Sequence, residues 1–107
     1  INPVPEEVKL REAVMQVVNV LKLSARAKRI IITTKLDNDL AVWCDPNMLH
    51  SVLTNLVSNA IKFTPVGGAI SIASSAEQSW VTFQVEDTGL GIKAENIARI
   101  LNPTELF

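Results

Sequence analysis

The stretch DPNMLHSVLTNLVSNAIKFTP, residues 45–65, carries four polar side chains that step by four and three: Ser51, Asn55, Asn59 and Lys62. On a helix that spacing lines them along one face. Asparagine is a poor choice for a helix interior, because its amide competes with the backbone for hydrogen bonds. Two of them on one face therefore point to a ligand. The amide oxygen of Asn59 is a hard donor of the kind Mg²⁺ prefers, and that ion often binds together with substrate phosphates and water. Lys62, about one turn further on, can set its ammonium on phosphate oxygens.

Asp87 is the second place with chemistry. Over residues 80–87, Val81, Phe83 and Val85 alternate with Trp80, Thr82, Gln84 and Glu86, the period of a strand with one apolar face. Continuing the alternation puts Asp87 on the apolar side, where a carboxylate is costly unless something hydrogen-bonds it. Gly89 and Gly91 follow, and they let the backbone turn tightly and approach a ligand. An acidic acceptor in an apolar recess beside Ile92 suits a flat heterocycle with an exocyclic amine, adenine above all. Taken alone, Asp87 fits a cap on the following turn equally well. With Asn59 and Lys62 it composes a nucleoside triphosphate site: a base acceptor, an oxygen ligand for magnesium and a cation for phosphate. There is no G-x-x-x-x-G-K-[ST] run, so the site is not a P-loop.

These side chains need a scaffold. Leu49, Val52, Leu53, Leu56, Ala60 and Phe63 recur at helical steps and predict the apolar back of the central helix. Asp45 is its N-cap, Pro46 sits in the first turn, and Thr64-Pro65-Val66-Gly67-Gly68 stops it. Upstream, residues 1–7 read as a linker, about 7–10 as a short extended piece, and 11–28 as a first helix with Ala13, Val14, Val17, Val18, Leu21 and Ala25 inward. The basic end of that helix (Arg26, Lys28, Arg29) suits the negative end of its own dipole and reads as a solvated terminus. Residues 30–36 and 40–44 read as strands joined in a hairpin by Asp37-Asn38-Asp39. Residues 69–75 and 80–86 form a second hairpin with a turn at 76–79. Residues 93–101 read as a short helix with Ile97, Ile100 and Leu101 inward, followed by loop. Strands in hairpins rather than βαβ alternation predict an α+β two-layer sandwich, not a doubly wound parallel sheet. Trp43 and Trp80 are expected to pack on strands, Met15 and Met48 to fill gaps, and His50 to be structural or surface-facing.

Composition narrows the class. At 107 residues the chain has room for one core and not two. With 48% hydrophobic and 20% charged residues it is globular rather than disordered. A net charge of −1 without a basic block argues against nucleic acid as the main partner. The lone Cys44 cannot form an internal disulfide, which fits a reducing, cytoplasmic setting with Cys44 as a small buried hydrophobe. No apolar run approaches the roughly 18 residues of a membrane span, so no membrane contact is expected of this domain.

NLVSNAIKFTP, then GGAISI, then VEDTGLGI together resemble the catalytic ATP-binding domain of bacterial sensor histidine kinases. That domain has the Bergerat fold shared with gyrase, heat-shock-protein-90 chaperones and mismatch-repair ATPases. The resemblance covers nearly the whole chain, including VKLREAV near the start and Asp45-Pro46. It implies a mixed, mostly antiparallel sheet covered by helices on one face. It also implies roles: Asn59 binds Mg²⁺, Asn55 lies near the phosphates and metal, Lys62 contacts phosphate and Phe63 lies against the nucleotide. Asp87 receives the adenine amino group, Gly89 and Gly91 form the turn beside it, and Ile92 lines the base pocket. Where gyrase-like ATPases have a glutamate that activates water, this chain has Asn55, and an amide is no general base at neutral pH. The resemblance therefore implies catalysis that spares ATP from hydrolysis and passes its γ-phosphoryl group to a protein histidine, by positioning and charge neutralisation.

The partners so implied are ATP, Mg²⁺, a dimerisation and histidine-phosphoacceptor domain of the same protein, and the receiver domain of a response regulator. The domain, residues 1–107, is expected to stop before the second glycine box and most of the lid over the phosphates. ARILNPTELF resembles the start of that lid, with Leu101 and Thr104 where the family commonly has phenylalanine. His50 lacks the serine-histidine-glutamate setting of a phosphoacceptor, so the chain is not expected to phosphorylate itself. The rival readings are a degenerate nucleotide-binding or scaffold module of the same fold, and a related protein-serine kinase or ATPase. Asn55 and IKFTP-x-GG argue against the ATPase.

Overall fold

A computed structural model describes residues 4–36, 40–77, 80–87 and 94–101. In chain order its elements are β1 (Glu6–Lys9), α1 (Leu10–Ala27), β2 (Ile31–Lys35), β3 (Ala41–Cys44), α2 (Pro46–Phe63), β4 (Ala69–Glu77), β5 (Trp80–Asp87) and β6 (Ala94–Leu101).

Both helices form for the reasons their spacing states. In α1, Val14, Val17 and Ala25 are buried, with Ala13, Val18 and Leu21 packed partly buried against the same core. In α2, the Asp45 carboxylate caps the first turn by accepting from the backbone N–H groups of Asn47 and Met48 at 2.8 and 3.2 Å. Thr64 closes the other end: its N–H and its Oγ1 both donate to the Ala60 carbonyl, at 2.9 and 2.6 Å. The buried stripe of α2 is Leu49, Leu53, Val57, Ala60 and Ile61, with Leu56 partly buried beside it. Val52 and Phe63 depart from the expected apolar back, being 44% and 67% exposed. A helix advances 3.6 residues per turn, and these two fall on a flank outside the stripe centred on Leu53 and Val57.

Strand pairing differs from simple sequence adjacency. The expected hairpin of β2 with β3 does not form. β3 pairs antiparallel with β1, Val8 standing opposite Val42, and β2 pairs parallel with β4, Ile32 opposite Ile70. Periodicity marks a strand without naming its partner, and a parallel pair requires a long crossover, which α2 supplies. The second hairpin forms as expected, with β4 and β5 in register from Ile70↔Asp87 to Glu77↔Trp80, although β4 continues through the expected turn residues Ala76 and Glu77. Residues 94–101 are not the expected helix. They form β6, antiparallel to β5. So short a helix is marginal on its own, whereas a strand there satisfies its backbone against the open edge of β5.

The main sheet has the order β2-β4-β5-β6. Ile70, Ile72, Val81, Phe83 and Val85 are buried from one face of β4 and β5, in one cluster with Leu10, Val14 and Val17 of α1 and Leu49, Leu53 and Val57 of α2. Ser71, Ala73, Thr82, Gln84 and Glu86 on the opposite face are half-buried. This is the expected α+β two-layer sandwich, with a mixed sheet covered by helices on one face. Some packing expectations need correction: Met15, Met48 and Trp80 are 41%, 59% and 45% exposed. Cys44 is half-buried against the core rather than enclosed by it. Among the described residues no helix is long and apolar enough to cross a membrane.

Candidate functional site

The polar stripe of α2 faces away from the core. Ser51, Asn55 and Lys62 are exposed and Asn59 is half-buried. Asn55 and Asn59 stand one helical turn apart, with Ser58 Oγ donating to the Asn55 carbonyl at 3.3 Å. Lys62 Nζ lies 5.4 Å from the centroid of the Phe63 ring, a cation–π distance that places the ammonium beside an open aromatic face.

The exposure of Val52 and Phe63 gains meaning next to Asn59. Phe63 is four residues after Asn59, Leu56 three before it and Val52 seven before it, so helical spacing sets all of them along one flank. Asn59 is thus a half-buried amide within an apolar strip that remains partly open. A polar group in such a strip gives a flat, partly apolar ligand a surface to lie on and a fixed atom to bind. An open groove of about 660 Å³ runs along the neighbouring face, lined by His50, Ser51, Val52, Thr54, Asn55 and Ser58. It takes in Asn55 but not Asn59, Lys62 or Asp87. His50 is exposed, as expected, with Nδ1 3.5 Å from Thr54 Oγ1. A smaller cavity of about 330 Å³ between α1 and β2 shares none of the candidate residues.

Asp87 ends β5 on the core side, as the alternation predicts. It is 3% exposed, opposite Ile70 of β4 and Ala94 of β6. Besides Thr64 it is the other buried polar residue described. Gly89, Gly91 and Ile92 lie outside the described residues, as do residues 102–107 of the expected lid segment. The structure therefore groups Asn55, Asn59, Lys62 and Phe63 on α2, and sets Asp87 at the end of a strand that α2 contacts.

Magnesium calls for hard oxygen donors, in company with phosphate and water. Asn59, with its half-buried amide one turn from Asn55, fits that requirement. Among the described residues no group of three or more His, Cys, Asp and Glu is placed to hold a metal ion.

Two residues that matter here gave weak signals in the sequence. Thr64 stood in a stretch read as helix stop, and its buried hydroxyl is what closes α2. Lys28 stood in a basic cluster read as solvated, yet it is half-buried and its Nζ donates to the Ile61 and Lys62 carbonyls of α2 at 2.7 and 3.1 Å. A lysine among exposed arginines gives no local sign that its partner lies more than thirty residues away.

Comparison with known proteins converges on one group. Residues 44–106 match the family described as histidine kinase-, DNA gyrase B-, and HSP90-like ATPase. The adaptive-response sensory kinase SasA of Synechococcus elongatus is 38% identical over 98 residues, 90% of this chain and 25% of that protein. The solved catalytic domain of histidine kinase ThkA superposes with a TM-score of 0.76 at 30% identity, covering 80% of this chain and 57% of that one. ThkA in complex with the response regulator TrrA gives 0.73 at 32% identity, covering 79% of this chain and 26% of that one. The chain spans a quarter of the length of SasA, and less of the cell-division control histidine kinase PdhS of Brucella anthropi and the histidine protein kinase DivJ of Caulobacter vibrioides, which it also matches.

Proposed function

Because the chain belongs to the histidine kinase-, DNA gyrase B-, and HSP90-like ATPase family, with the Bergerat fold, we propose that it is the ATP-binding catalytic domain of a sensor histidine kinase. It binds Mg-ATP for transfer of the γ-phosphoryl group to a histidine on a separate dimerisation domain, from which a response regulator takes it. The observation that carries this reading is the partly open apolar flank around Asn59 on the same helix as Asn55 and Lys62, with a buried carboxylate at the end of β5.

Each residue has a role in this proposal. Asp87 accepts a hydrogen bond from the adenine amino group, and its buried position at the end of β5 makes the contact selective, because a base that presents a carbonyl there sets an acceptor against an acceptor. Gly89 and Gly91 let the backbone close beside the base, and Ile92 covers it. Phe63 lies against the nucleotide, and Lys62 binds phosphate. Asn59, with Asn55 beside it, holds Mg²⁺, which when bound neutralises phosphate charge. Asn55 orients without abstracting a proton, so water near the γ-phosphate is not activated. The chain's contribution is to position ATP and neutralise its charge.

Calorimetric titration with Mg-ATP and Mg-GTP tests the site. The wild type is expected to prefer ATP, Asp87→Asn to lose that preference, and Asn59→Ala to weaken Mg-ATP by about tenfold or more, about 1.4 kcal/mol. Equal affinity for both nucleotides in the wild type overturns the adenine contact. For the longer protein, acid-labile phosphate on histidine after incubation with ATP supports the kinase reading. Stable phosphoserine, or phosphate release alone, overturns it.

A further inference from the structure

We propose that Lys28, just beyond α1, is a positioning residue that sets the last turn of α2, and with it Lys62 and Phe63, for the nucleotide; this rests on the kinase-domain reading above. The last four carbonyls of a helix have no partner inside it. In α2 they belong to Ala60, Ile61, Lys62 and Phe63. The Ala60 carbonyl accepts from Thr64, and the Ile61 and Lys62 carbonyls both accept from Lys28 Nζ, at 2.7 and 3.1 Å. The main chain of Lys28 holds the turn beyond. Its carbonyl accepts from the Gly67 N–H at 2.8 Å, and Gly67 has the positive φ of 84° that the turn requires. One residue therefore grips both the end of α2 and the glycine turn that leads into β4.

Two effects on the site follow. The first is geometric. Lys62 is itself one of the residues whose carbonyl Lys28 holds, and Phe63 comes next. Without the ammonium, carbonyls at a half-buried helix end must find water, and the last turn frays. The second is electrostatic. A helix C-terminus carries a partial negative charge of about half an elementary charge, here at the end where Lys62 is to meet a polyanion. The Lys28 ammonium offsets that charge where it arises. Arg26 and Arg29 are exposed, and the half-buried position at the carbonyls is filled by Lys28.

In the intact protein, Lys28→Met keeps the aliphatic stem and removes the cation, and Lys28→Arg restores a cationic donor. The methionine variant is expected to raise KM and Kd for Mg-ATP about tenfold with a much smaller change in kcat, and the arginine variant to recover most of the loss. Hydrogen exchange at the amides of Thr64 and Gly67 should quicken in Lys28→Met, while that of Leu53 and Val57 stays slow. A variant that loses thermal stability or exchange protection but keeps wild-type KM and Kd overturns the positioning role. If the methionine variant keeps those constants while Asp87→Asn abolishes the ATP preference, the kinase-domain reading stands and this inference alone falls. A wild type that binds no Mg-ATP overturns both.

Discussion

Asp45 Oδ2 accepts a hydrogen bond from the backbone N–H of Val4 at 2.9 Å, across 41 residues of sequence. The other carboxylate oxygen caps α2, so one side chain fixes the start of the site helix and the segment entering β1. These bonds, from Val4 first, then Met48 and Asn47, lower the Asp45 pKa from its ordinary value. A lowered folded-state pKa gives stability that is present above the unfolded value and is lost as pH falls through the folded one. Asp45→Asn keeps a good capping residue and removes the charge. Thermal unfolding should therefore show the wild type melting above the variant at neutral pH, with the gap closing as pH falls from the unfolded carboxylate value through the lowered folded one. A gap independent of pH refutes the account.

Cys44 is the neighbouring consequence. Burial raises its thiol pKa, and the charges of Asp45 and Glu6 raise it further. The thiol is thus protonated at neutral pH, and it is the thiolate that reacts. The rate of iodoacetamide alkylation should rise with a midpoint above that of a free cysteine, and Asp45→Asn should move the midpoint down. An ordinary midpoint in the wild type counts against this environment.

What could be read from the sequence was what depends on near neighbours. The N-cap at Asp45 is a contact with residues two and three positions on, and the burial of Asp87 follows from strict alternation along β5. The partners of β2 and β3 were not legible, because pairing is decided by which edge is open after the helices pack. The same holds for residues 94–101, where a helix-compatible pattern yields to the edge of β5. Lys28 was read as solvated because its acceptors are distant in sequence. At the site, the residue types on α2 were legible, but the exposure of Val52 and Phe63 was not. Periodicity sees apolar residues and not whether protein covers them.

Ser74 offers a test of the sheet. It stands opposite Phe83 in the β4–β5 register, and its buried Oγ has no hydrogen-bond partner among the described residues. A buried hydroxyl without a partner keeps its desolvation cost. Ser74→Ala is therefore expected to stabilise the fold by about 1 kcal/mol in urea unfolding, with an unchanged m-value. A loss of stability of similar size would show that the hydroxyl is in fact bonded.

Leu53 and Phe63 separate the two jobs of α2. Both are large apolar residues on one helix, but Leu53 is 0% exposed and Phe63 is 67% exposed. Truncating a fully buried leucine removes its transfer energy and leaves a cavity, so Leu53→Ala should cost about 2–5 kcal/mol. Truncating Phe63 removes little buried area, and its cost to folding should stay within about 0.5 kcal/mol. If the open flank around Asn59 is where the nucleotide lies, the order reverses for binding. Phe63→Ala should then weaken Mg-ATP by about three- to tenfold, in keeping with an aromatic contact of about 1 kcal/mol, while folded Leu53→Ala protein binds nearly as the wild type does. Chemical unfolding and calorimetry on the same two variants measure both quantities. A Phe63→Ala protein that unfolds as readily as Leu53→Ala, and binds nucleotide normally once folded, would make Phe63 a core residue after all and remove the aromatic wall from the site.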